Sequence, residues 1–126
     1  MLKNKKMHII DKQLSNFNFY KSSNSYRELK EIIYSLLVNK ELSLMPFRTG
    51  VFKEIAEEFD TTSSRLESNL SKLVDRAILN TDSKIISSYF LVYQDKKVTL
   101  KAFLLKVTEE TYYEIKKIEK AEKIAI

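Results

Sequence analysis

Between Phe52 and Ala77 the apolar residues recur at helical spacing on either side of a short polar interval. Ile55, Ala56 and Phe59 share one face of a first helix, and Leu66, Leu70, Leu73, Val74 and Ala77 share one face of a second. The polar stretch from Asp60 to Ser64 interrupts the pattern, so the segment predicts two helices joined by a tight turn, a helix-turn-helix. The small Ala56 stands where the second helix must come close. Turning about 100° per residue, the second helix directs Ser64, Arg65, Ser68, Ser71 and Lys72 away from its apolar stripe.

The same reading extends in both directions. Ser22–Ser25 is a polar break suited to capping a helix, and Leu29, Ile32, Ile33, Leu36 and Leu37 predict a further core helix over Tyr26–Asn39. The interval 41–49 holds the only proline, Pro46, and is followed by the only glycine, Gly50, so a helix should not continue through it; Ser43–Phe47 suits a short extended piece. After Ala77, residues 78–83 read as a helix exit and turn. Ile85–Tyr93, rich in β-branched and aromatic residues, reads as a strand that pairs with Ile78–Asn80 in a small wing. In the alternative, Lys84–Phe90 is a short helix and the fold is wholly α.

A long last helix should start near Thr99 and pass Ile118, with Leu100, Leu104, Val107, Thr111, Ile115, Ile118, Ala121 and Ala125 on one stripe. In so small a domain its distal half has little core to cover, so pairing with a second copy is the expected use; folding back on its own core is the alternative. The fold class that results is mainly α. It is a helix-turn-helix domain over 22–126 with a winged β-hairpin and a C-terminal dimerisation helix from about residue 99, preceded by a basic arm over 1–21.

Composition narrows the class. A chain of 126 residues holds one core, and the absence of cysteine removes disulfide frameworks and thiolate metal sites. Apolar runs such as Tyr89–Tyr93 fall far below the roughly 18 residues a membrane span needs, and no secretory signal is visible, so a cytoplasmic protein is expected. The net charge of +5 is unevenly placed. Residues 1–21 carry five lysines against Asp11, and residues 81–106 carry five against Asp82 and Asp95, whereas residues 47–80 balance five cations with six carboxylates. Basic segments therefore flank a near-neutral scaffold, as expected where lysines attract phosphate. The serines and Arg65 on the second helix suit base or phosphate contact better than mere solvation. Lys96 and Lys97 should reach the backbone beside them.

The string Ile55–Glu67, with its isoleucine-alanine pair, Phe59, Thr61, Thr62, Ser63, Ser64, Arg65 and Glu67, resembles the C-terminal DNA-binding domain of the master sporulation response regulator of endospore-forming bacteria. Asp82-Ser83 and Ile86–Phe90 are similar to its later segment. The resemblance implies a bacterial DNA-binding protein of all-α fold, with Thr62, Ser63 and Glu67 joining the contact residues. It also implies a different operator, because Ser68 and Ser71 stand where that family carries basic residues. No receiver domain fits in this chain, so phosphorelay control is not expected. The winged helix of bacterial repressors and replication-terminator proteins fits residues 78–124 at least as well.

Catalysis finds no constellation. His8, the only histidine, lies in the basic arm, one glycine cannot build a phosphate-cradling loop, and Glu54, Glu57 and Glu58 have nothing to converge on. No cofactor or metal is expected. The reading is a sequence-specific binder of double-stranded DNA, homodimeric, acting as a transcriptional regulator or as an accessory factor for replication or transfer of a mobile element. The rival is a protein-interaction module on the same scaffold, docking through the acidic helix Glu54–Glu58.

Overall fold

The computed structural model describes residues 1–90 and 97–124. These form six α-helices and one short 3₁₀ turn, with no strand among the described residues. The helices are α1 (Lys3–Leu14), α2 (Asn24–Val38), α3 (Val51–Glu58), α4 (Ser63–Leu79), α5 (Ser83–Phe90) and α6 (Leu100–Ile124), with the 3₁₀ turn at Lys40–Leu44.

α2 is the central rod, touching α1, α3, α4 and α6. Its N-terminus is set by Ser23, whose hydroxyl accepts the Tyr26 N–H at 3.1 Å, and Leu29, Ile32 and Ile33 are wholly buried. Past its end the Asn39 side chain accepts the Glu41 N–H and starts the 3₁₀ turn. That turn takes in Ser43 and Leu44, so the extended conformation expected from Ser43 begins only at Met45. Gly50 follows where the chain doubles back: a Cβ there would lie 3.1 Å from the Pro46 carbonyl oxygen.

The first 21 residues do not form an arm apart from the core. Lys3–Leu14 is a helix whose Ile9, Ile10 and Leu14 are buried, and it runs antiparallel to α6, with Lys5 against Glu122 at one end and Phe17 against Phe103 at the other. The period of Met7, Ile10 and Leu14 carried this signal, and the lysines around it are simply the solvated face. Tyr26 ties α1 to α2 by donating its hydroxyl to Asp11 at 2.6 Å; burial and that acceptor hold the phenol well above its usual pKa.

α1 and α2 also account for the apolar stripe of α6. Phe103, Leu104, Val107, Thr111 and Ile115 are buried within the chain itself. Thr111 is tolerated there because its hydroxyl donates to the Val107 carbonyl at 2.7 Å. The helix starts where expected, with Thr99 Oγ1 accepting the Ala102 N–H.

The wing is replaced by helix. Ile78 and Leu79 belong to the last turn of α4, and Ser83–Phe90 is α5. Asp82 starts α5 by accepting the Lys84 N–H on its side chain and the Ile85 and Ile86 N–H groups on its carbonyl. Ile86, Tyr89 and Phe90 fall at helical spacing and pack inward, where Tyr89 and Phe90 join Phe17 and Phe103 with ring centroids 5.0–5.8 Å apart. The remainder of the expected strand, residues 91–96, lies outside the described residues.

Candidate nucleic-acid interface

The turn between α3 and α4 is fixed by three backbone hydrogen bonds. Phe59 N–H donates to Ile55, Asp60 N–H to Glu57, and Thr61 N–H to Ala56 at 2.9 Å, with Asp60 at φ 55°. This pairing of carbonyls with the residues after the helix is a Schellman end, which requires a left-handed residue, here Asp60. It satisfies the last carbonyls of α3 and swings the chain sharply. Ala56 is 2 % exposed, as a close crossing of α4 demands. Thr62 then caps α4, accepting the Arg65 N–H at 3.2 Å.

α4 buries Leu66, Leu70, Val74 and Ala77. At about 100° per residue, the opposite line runs through Arg65, Ser68, Asn69, Lys72 and Arg76, all of them exposed. Arg65, Lys72 and Arg76 form no ion pair among the described residues. Three unneutralised cations thus follow one another along roughly 16 Å of helix, interleaved with a serine and an amide.

Of the residues picked from the sequence, this line unites Arg65, Ser68 and Lys72, with Ser64 exposed on its flank. Ser63 and Ser71 are half-buried, and Thr62 is engaged as a cap. Glu67 is held off the face by Arg48, whose Nε donates to it at 2.7 Å. Lys97 stands beside α4, paired with Asp75 at 3.0 Å, and Lys96 is outside the described residues. Asn69 and Arg76 were missed. Their signal was present, four and eleven positions beyond Arg65 and so on nearly the same helical bearing.

Along its C-terminal half α4 forms one wall of an open groove of about 420 Å³, whose other wall is the connection between α1 and α2. Lys72, Arg76 and Asn69 face Tyr20, Ser23 and Ser25 across it. Asn18 binds the two walls together: its backbone N–H donates to Thr81 Oγ1 at 2.9 Å and its side-chain amide to the Asn80 carbonyl at 3.4 Å.

The outer side of α3 has the opposite sign, with Glu54, Glu57, Glu58 and Asp60 exposed and only Lys53 among them. No group of acidic, histidine or cysteine side chains able to hold a metal occurs among the described residues, and no helix there is long and apolar enough to cross a membrane. No family model matches this chain, and comparison with curated proteins finds no match.

Proposed function

We propose that the chain is a sequence-specific binder of double-stranded DNA, with α3 and α4 as the helix-turn-helix and α4 as the reading helix. The observation that carries this reading is the exposed line Arg65, Ser68, Asn69, Lys72 and Arg76, polar and basic, on a helix whose other side is fully packed. An ordinary solvated face would mix carboxylates among such cations. Here the nearby carboxylates of Glu67 and Asp75 are turned to Arg48 and Lys97 instead. Arg65, near the N-terminus of α4, suits bidentate pairing with a guanine edge, and Ser68 and Asn69 suit neighbouring bases. The likeness of Ile55–Glu67 to the sporulation regulator supports the same assignment. On it rest the finer roles: a cytoplasmic bacterial protein serving as a transcriptional regulator, or as an accessory factor for replication or transfer of a mobile element.

Binding to cognate duplex, selected from a random pool, tests the reading. Arg65→Ala should cost about 1–3 kcal/mol of preference for the selected site while changing non-specific affinity less. An unchanged ranking of cognate over scrambled duplex would remove Arg65 from base reading. A second reading is favoured by the acidic outer side of α3, which suits a basic protein partner. In that case random duplex binds weakly at any salt concentration, and charge reversal at Glu54, Glu57 and Glu58 abolishes capture of the partner.

A further inference from the structure

The groove beside α4 has chemistry that base reading does not use. No acidic side chain among the described residues lines this groove, whereas Lys72 and Arg76 both do. The hydroxyls of Tyr20 and Ser25 face them, and neither is engaged in a hydrogen bond among the described residues. The floor between is apolar, formed by Leu73 and Ala77. Through Asn18 and Thr81 the two walls are fixed to one another, since Thr81 in turn donates to the Ala77 carbonyl of α4 at 2.6 Å. A ligand meeting Arg76 therefore finds the opposite donors already in place, with no loop to be ordered first.

We propose that this groove seats the phosphate backbone of one DNA strand flanking the reading helix, with Lys72 and Arg76 supplying charge from α4, Tyr20 donating from the α1–α2 connection and Ser25 from the first turn of α2. The inference rests on the DNA reading above and adds a second wall to it. A channel of about 420 Å³ is too small for a duplex and takes a single strand's edge. Lys72 and Arg76 recognise phosphate oxygens and distinguish no base, and they lie roughly 10 and 16 Å along α4 from Arg65, where a helix leaves the bases for the rim of the groove. Contact here fixes how deeply, and in which register, α4 lies.

The test is a salt titration of cognate and scrambled duplex between about 50 and 200 mM salt. Arg76→Gln should weaken both duplexes alike and flatten the slope of log affinity against log salt by about 0.9, and the Lys72→Gln, Arg76→Gln pair by about twice that. Arg76→Lys should restore the slope, and Tyr20→Phe with Ser25→Ala should lower affinity several-fold at an unchanged slope. An unchanged thermal midpoint of Arg76→Gln establishes that the variant is folded; should it shift, Lys72→Gln alone carries the slope measurement. A wild-type chain that binds steeply while the Arg76→Gln and Lys72→Gln variants keep its slope overturns the groove and leaves the DNA reading intact. Loss of sequence ranking at an unchanged salt slope in Arg76→Gln overturns it as well, since that pattern belongs to a base contact and not to a phosphate contact. Absence of any duplex binding by the wild type overturns both.

Discussion

Asp60 is the only non-glycine residue with positive φ among the described residues, and it is the pivot that orients α4. An aspartate bears the left-handed conformation better than most residues, whereas a β-branched one does not. Asp60→Val should destabilise the fold by about 1–2 kcal/mol and Asp60→Gly should be neutral or slightly stabilising, as read from denaturant midpoints. Equal stability of the two variants would mean the turn has another conformation in solution. A second costly residue is Glu28, 7 % exposed on α2, with a carboxylate oxygen that has no hydrogen-bond partner among the described residues. Desolvation raises its pKa. Because the folded chain then binds the proton more readily than the unfolded chain, this group penalises stability as pH rises above the ordinary carboxylate range, and the penalty vanishes below it. Glu28→Gln should therefore gain on the order of 1 kcal/mol at neutral pH and nothing near pH 4, by thermal melts at both. A gain that persists in acid would place the benefit in packing, not charge. Neither residue was legible as special in the sequence, because a turn aspartate and a helix glutamate are ordinary until burial and φ are known.

The helices read most directly from the chain were those with a long one-sided period. α2, α4 and α6 began close to their expected ends because Ser23, Thr62 and Thr99 cap them. α5 was ambiguous for a physical reason: Ile85, Ile86, Tyr89 and Phe90 satisfy both β propensity and helical spacing, and the aromatic cluster with Phe17 and Phe103 decides between them. The candidate interface was legible to within about half a turn of α4. The expected face included Ser71, which the structure half-buries, and omitted Asn69 and Arg76, which share the helical bearing of Arg65. The partner of Lys97 was beyond the reach of sequence. Its pairing with Asp75 holds one cation and one carboxylate beside the reading line. Asp75→Asn should release Lys97 and remove the carboxylate, raising affinity for all duplexes and steepening the salt slope by up to about one phosphate contact. The exposed pair contributes little to folding, so the thermal midpoint should hardly move. An unchanged slope would show that Lys97 does not reach DNA.

For the whole molecule, the decisive packing is between the two ends of the chain. The first residues were expected to form a basic arm and the last helix to pair with a second copy or to fold back on its own core; the structure lays α1 along α6. The stripe Val107, Thr111 and Ile115 is thereby buried in its own chain, and Ile118 beyond it is half-buried. Closing the fold by its termini makes α1 part of the cooperative unit that holds α2 and, through it, the reading helix. Ile10→Ala, at a wholly buried position, should cost about 2–5 kcal/mol, where the same change in a loose arm costs nothing. Ile115→Glu should unfold the chain or lower its midpoint steeply, since it buries an unpaired charge. Concentration separates intramolecular packing from pairing. If α6 is covered by α1, the wild-type melting temperature is the same at micromolar and at hundred-fold higher concentration, whereas shared burial between copies makes it rise with concentration. A concentration-dependent midpoint together with a folded, monomeric Ile115→Glu variant would return α6 to the role of dimerisation helix.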